Sequence, residues 1–252
     1  MVYGIEKFKE YFSNFTDQYV FIGGTACDIL LDAIGASFRA TKDLDIVLII
    51  EEMNESFGSK FWEFIEDGGY KNRQSNIGKE QFYRFTEPND NAFPFMLELF
   101  CRKPKKIKLQ FDSHLAPVHI SDNIASLSAI LLNDSYYDLL LKGKSAIDGF
   151  SVLKLEYIIL FKIRAWLDLM KKVQDGIKID SRSIKKHKND IFRLLINVSP
   201  SSRNEIDSAI HEDVNQFLEL ISIDQIDLGN LKIVSASFAE LLDRIRKMYF
   251  IV

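Results

Sequence analysis

The chain has 252 residues, enough for one large domain or two modest ones, and its 47% hydrophobic and 27% charged content excludes a disordered polymer. Its 32 basic and 36 acidic side chains give a net charge of -4, which argues against a protein that coats phosphate backbones but leaves room for a local basic patch. No apolar run approaches the roughly 20 residues that span a bilayer, and the start MVYGIEKFKEYF lacks the features of a signal peptide, so a cytoplasmic protein without a membrane partner is expected.

Along the chain, Ile5, Phe8, Tyr11, Phe12 and Phe15 recur at helical spacing and predict an amphipathic helix over residues 5–15. Tyr19-Val20-Phe21-Ile22 reads as a short strand running into a Gly23-Gly24 turn. Thr25 is placed to cap a helix that continues through Ile29, Leu30 and Leu31 to Gly35. Residues 44–50 are apolar apart from Asp45 and predict a central strand covered on both faces. A helix over residues 60–65 is stopped by Gly68-Gly69, and strands over 81–86 and 93–101 flank the turn-rich Glu87-Pro88-Asn89-Asp90-Asn91.

From about Ser151 the pattern turns helical. One long helix carries Leu153, Tyr157, Leu160, Phe161, Trp166 and Leu169, and further helical segments follow around 181–197, 201–221 and 236–249. The expected fold class is α+β: a mixed β-sheet domain flanked by helices over residues 1–150, then an all-helical domain over residues 151–252, with the two-glycine junction at 142–150 between them.

Three features of the first domain carry chemistry. Gly23-Gly24-Thr25 sits between a strand and a helix, where small residues let backbone amides and the positive end of the helix approach an anion; a tight turn explains two glycines equally well. Asp43 and Asp45, two apart on a strand, project from the same sheet face, so their like charges ask for a cation between them; in the blander alternative Asp43 caps a turn and Asp45 is solvated. Glu98 is the only charge in the strand around Phe95-Met96-Leu97-Glu98-Leu99-Phe100. It is a metal ligand, an edge glutamate facing solvent, or the partner of an arginine such as Arg84. Three carboxylates converging on one point would suit two Mg²⁺ ions, or Mn²⁺, in phosphoryl transfer. The cysteines, Cys27 and Cys101, read as buried free thiols, and His114, His119, His187 and His211 lack metal-ligand spacing, so any metal is expected on oxygen.

The runs FIGGTACDILL, RATKDLDIVL and MLELF together resemble the signature of the DNA polymerase β-like nucleotidyltransferases: a Gly-Gly turn, an Asp-x-Asp strand and a third carboxylate on a later strand. Within that superfamily they are most similar to the AbiEii/AbiGii toxin branch, through Gly23, Gly24, Thr25, Ala26, Arg39, Thr41, Asp43, Leu44 and Asp45. The resemblance covers residues 19–195 and is looser in the helical part, where Lys162 and Asp190 of LEYIILFKIRAW and KHKNDIFRLL match a lysine and a basic-Asp segment, while Arg193 stands where another Asp is common.

The resemblance implies a nucleotidyltransferase-like sheet domain and an Mg²⁺-dependent transfer of a nucleoside monophosphate from a nucleoside triphosphate to an acceptor hydroxyl. Asp43, Asp45 and Glu98 would be catalytic and metal-binding, and Gly23, Gly24, Thr25, Arg39, Thr41, Lys42 and Lys162 would meet the nucleotide. Lys188 and Asp190 are further candidates. Plainer readings of Lys162 and Asp190 are a snorkelling lysine and a solvated helix face. The toxin branch admits RNA or tRNA as acceptor and an antitoxin protein as partner. A small antibiotic-type acceptor, and a non-catalytic relative that binds only nucleotide or a partner protein, are the alternatives. Two basic runs, at 102–108 and 185–188, are solvated surface or steer a nucleotide or RNA end.

Overall fold

The computed structural model describes residues 2–74, 80–102, 115–118, 127–224 and 226–251; His114, His119 and most of the basic run at 102–108 lie outside them. The chain divides into two compact units, Met1–Lys154 and Leu155–Val252. No helix among the described residues is long and apolar enough to cross a membrane.

The first unit is α+β. Its strands are β1 (Tyr19–Ile22), β2 (Asp43–Leu48), β3 (Lys71–Gln74), β4 (Glu80–Thr86), β5 (Met96–Arg102), β6 (Leu115–Val118), β7 (Leu127–Leu132), β8 (Lys144–Ile147) and β9 (Phe150–Leu153). Its helices are α1 (Ile5–Phe12), α2 (Gly23–Asp32), α3 (Glu55–Gly68) and α4 (Asp134–Gly143), with a 3₁₀ turn at Ser13–Phe15. The strands form one mixed sheet in the order β3-β4-β5-β2-β1-β9-β8, with β7 pairing β5 and β6 pairing β7. Strand β2 runs antiparallel to β1 and parallel to β5, and β4 runs antiparallel to β5.

The register sorts side chains between two faces. Tyr19 and Phe21 lie level with Leu48 and Ile46, Ile46 with Leu99, Leu44 with Leu97, and Leu97 with Phe85. Paired positions share a face, so these residues make one apolar surface. Helices α1 and α3 cover it with rings: Phe8 lies 5.2 Å from Tyr19 and 5.6 Å from Phe64, and Phe61 lies 5.7 Å from Phe85. All of these are fully buried, at roughly 1.5–3 kcal/mol each for a large apolar side chain taken out of water. The opposite face receives the alternate residues, among them Ile22, Asp45, Glu98 and Arg84.

Several elements differ from expectation. The helix over 5–15 tightens to 3₁₀ after Phe12. Thr25 caps nothing: Ile22 is the N-cap of α2 and no side chain caps it, because the Thr25 hydroxyl is used laterally. Strand 44–50 is covered on both faces only beyond Ile46, since its first half alternates. The helix at 60–65 begins earlier, where the Asn54 side chain accepts a hydrogen bond from the Phe57 amide. Ser151 does not open a helix. It lies in β9, which forms a hairpin with β8 around Asp148-Gly149, both at positive φ (49° and 78°), the conformation an Asp-Gly hairpin turn requires.

The second unit holds α5 (Leu155–Gln174), α6 (Ser181–Leu195), α7 (Ser208–Ile223) and α8 (Phe238–Met248). Asp180, Asp207 and Ser237 cap α6, α7 and α8, which is why α7 starts at Ser208 and not near 201. Trp166 of α5 packs edge-on to Phe217 of α7 at 5.5 Å, and Phe192 of α6 lies 6.4 Å from the same ring.

Candidate functional site

The glycine turn is the place where β1 becomes α2, and it is built against the start of β2. Gly23 has φ +64°, the left-handed region that disfavours a side chain. A Cβ there would overlap Oδ2 of Asp45, and one on Gly24 would lie 2.7 Å from Oγ1 of Thr41. Both glycines are therefore required by close approach, and what approaches is Asp45 and Thr41. The Thr25 hydroxyl, fully buried, donates to the main-chain carbonyl of Asp43 at 2.7 Å, and Cys27 Sγ lies 2.9 Å from the carbonyl of Gly23. Turn and Asp-x-Asp strand thus form one rigid assembly at the N-terminus of a ten-residue helix.

Across the sheet, Asp45 lies level with Glu98 on β5, and Glu98 lies level with Arg84 on β4. Two carboxylates side by side repel unless a cation intervenes. On the side of Glu98 away from Asp45, Arg84 pairs with it: Nε donates to Glu98 Oε1 at 2.8 Å and Nη2 makes a short ion pair with the same oxygen. Arg84 is thus a partner of Glu98, as one of its three readings expected. The Glu98 side chain is 13% exposed, so it does not face solvent from an edge strand. Burial alternates strictly along β5, and the half-open positions Met96, Glu98 and Phe100 alternate with buried Leu97, Leu99 and Cys101.

The donor chemistry of Asp43 and Asp45 suits a hard ion such as Mg²⁺, since both side chains lie on one sheet face and offer only oxygen. Glu98 does not complete that set as it stands. Among the described residues no group of three or more His, Cys, Asp or Glu side chains is gathered to hold a metal ion, and Oε1 of Glu98 is occupied by Arg84.

The other candidates are more scattered. Arg39, Thr41 and Lys42 lie on the segment that enters β2; Arg39 stacks on Phe38 at 5.1 Å and Lys42 lies 5.8 Å over the ring of Phe95. Lys162 and Asp190 meet each other within the second unit: Nζ lies 2.9 Å from Oδ2, with the two side chains 6% and 0% exposed, and Arg193 lies 3.7 Å from the other oxygen. Asp190 is therefore not on a solvated helix face, and Lys162 is almost wholly enclosed, its ammonium turned to Asp190 and not to solvent. Lys188 also turns inward, to Asp224 at 2.6 Å, so the run at 185–188 is not a uniformly solvated surface. Arg102 at the head of the other run binds Glu51 and Asp138 and lies 4.8 Å from the Tyr137 ring.

Two relationships escaped the sequence. The buried Thr25 hydroxyl had no signal beyond its place after two glycines. The cluster of Glu51, Arg102 and Tyr137, in which the Tyr137 hydroxyl donates to Glu51 at 2.6 Å, joins residues far apart in sequence. Both cysteines are buried free thiols, and burial pushes the Cys101 thiol up to about 12. An acidic concavity lined by Glu6, Asp28, Asp32 and Asp148 over Ile5, Ile29 and Phe150 contains none of the candidate residues. No family model matches the chain, and no curated protein matches it.

Proposed function

We propose that the first unit is a nucleotidyltransferase that moves a nucleoside monophosphate from a nucleoside triphosphate to an acceptor hydroxyl. One observation carries this reading: the Gly23-Gly24 turn, at the start of a helix, is in direct contact with the carboxylate of Asp45 on the Asp-x-Asp strand. An anion-accepting helix terminus beside paired carboxylates is what a metal-bound triphosphate needs.

The triphosphate lies against the first turn of α2, whose amides and dipole offset its charge. Arg39 and Lys42 add cations from the segment leading into β2. Asp43 and Asp45 would hold Mg²⁺, which when bound neutralises phosphate charge. Glu98 takes the proton from the acceptor hydroxyl as its oxygen attacks the α-phosphorus, and pyrophosphate departs. The chain's own contribution is positioning and electrostatic complementarity. Lys162 stays outside this scheme because its ammonium serves Asp190. The toxin-branch resemblance makes RNA, and tRNA in particular, the first acceptor to try, and an antitoxin the first protein partner. The acidic concavity, which no candidate residue lines, lends no weight to a small cationic acceptor.

A second reading, nucleotide binding without transfer, is favoured by the Arg84–Glu98 pair, which leaves the third carboxylate engaged. Incubation with each labelled nucleoside triphosphate, Mg²⁺ and total RNA separates the two, with the Asp43→Asn/Asp45→Asn double variant as blank. Label in RNA and release of pyrophosphate support transfer. Calorimetric Mg²⁺-dependent nucleotide binding without pyrophosphate release supports the second reading. Wild-type turnover in either single Asn variant sinks the metal assignment.

A further inference from the structure

Arg84, Glu98 and Asp45 stand at one level on three adjacent strands, and the register puts their side chains on one sheet face. The guanidinium sits at the outer end of this row and grips Glu98 through two nitrogens on one oxygen. With 30% of its side chain exposed, Arg84 can leave that position without disturbing the apolar face beneath, where its neighbour Phe85 is fully buried. An arginine and a divalent cation at the same carboxylate are alternatives: each neutralises it, and their like charges oppose joint occupancy.

We propose that Arg84 is a positioning residue that holds Glu98 away from the divalent-cation site and is displaced when the cation binds. The inference rests on the reading of Asp43 and Asp45 as metal-holding residues. In the cation-free protein, Arg84 neutralises Glu98 at the level of Asp45. On cation binding, Glu98 exchanges the guanidinium for the ion, and Arg84 is released toward the face where a triphosphate would lie. Arginine binding and cation binding are linked, so removing one strengthens the other by the same factor.

The test is Mn²⁺ binding to the full chain without nucleotide, followed by electron paramagnetic resonance, with circular dichroism to verify folding. Arg84→Gln is expected to bind Mn²⁺ about fivefold more tightly than wild type, the factor equivalent to ~1 kcal/mol of ion pairing at a part-exposed site. Arg84→Lys, which keeps the charge and loses the two-pronged grip, falls between them and carries the test should Arg84→Gln fail to fold. In a Glu98→Gln background the gain disappears, a result that a merely structural arginine would not produce. Unchanged or weaker Mn²⁺ binding by both Arg84 variants, with Asp45→Asn abolishing binding, overturns the inference and leaves the metal reading standing. Absence of Mn²⁺ binding by every protein, wild type included, overturns the metal reading and this inference with it.

Discussion

Replacing Lys162 by Met tests whether its ammonium serves the fold or a phosphate. The wild-type ion pair is 2.9 Å long and almost wholly enclosed, with Asp190 at 0% exposure. Deleting the lysine leaves a buried carboxylate short of its nearest cation, and Arg193 at 3.7 Å on the other oxygen is too distant to replace it. Breaking a buried pair from one side costs about 3–5 kcal/mol, and the residual Arg193 contact places the expected loss near ~3 kcal/mol. The chain has two tryptophans, Trp62 in α3 and Trp166 in α5. In a Trp62→Phe background, fluorescence during urea unfolding therefore reports the second unit through Trp166. The double variant Lys162→Met/Asp190→Leu should recover stability to within about 1 kcal/mol of wild type, because it removes both desolvated charges together. A loss below about 1 kcal/mol for Lys162→Met, accompanied by weaker nucleotide binding, would refute this reasoning and return the lysine to the phosphates.

Gly23→Ala should cost about 1–2 kcal/mol from its left-handed backbone alone and should push the Asp45 carboxylate aside, so nucleotide affinity falls by more than stability does. Calorimetry beside urea unfolding checks this, and wild-type nucleotide binding in the alanine variant would show that the turn does not seat the phosphates. For Glu51, burial raises the pKa but is outweighed by hydrogen bonds from Tyr137, its own backbone amide and Arg102, so the carboxyl titrates below its ordinary value of 4.5. A depressed carboxylate stabilises the fold above its unfolded pKa and loses that contribution as pH falls through the folded one. Tyr137→Phe should therefore be less stable than wild type by about 1 kcal/mol at pH 7, with the gap closing as pH drops below 4.5; a pH-independent gap would show that the tyrosine acts by packing alone.

What could be read in advance followed the strength of the local signal. Tyr19-Val20-Phe21-Ile22 and the aromatic spacing of α1 are dense and periodic; the strand formed where expected, and the helix formed from Ile5 but gave way to a 3₁₀ turn after Phe12. The glycine turn and the Asp-x-Asp strand were visible as motifs, but their direct contact depends on the sheet pairing β2 beside β1. Glu98 shows the limit most clearly. Its isolation among apolar residues marked it as needing a partner, yet Arg84 comes within reach only because β4 pairs alongside β5. The solvated-face reading of Asp190 fails for a related reason: helical periodicity gives the face of a residue but not what covers it. The β8–β9 hairpin is masked in the sequence although Asp148-Gly149 is a strong two-residue turn signal, because the apolar pattern of the helix that begins at Leu155 continues backward across Ser151–Leu153.

That hairpin bears on how the chain can be made and cut. Strand β1 pairs with β9, so Phe21, near the beginning, waits for Val152 before its second flank is covered. During synthesis, β1 and β2 emerge long before β9, and the sheet keeps a temporary open edge until residues 150–153 leave the ribosome. Such distant pairing slows folding and invites sticking between chains. A fragment ending at residue 150 would make that open edge permanent, whereas one ending at Lys154 retains β9 beside β1. Two clones that differ by four codons should therefore differ in whether they yield a dispersed protein or an aggregate.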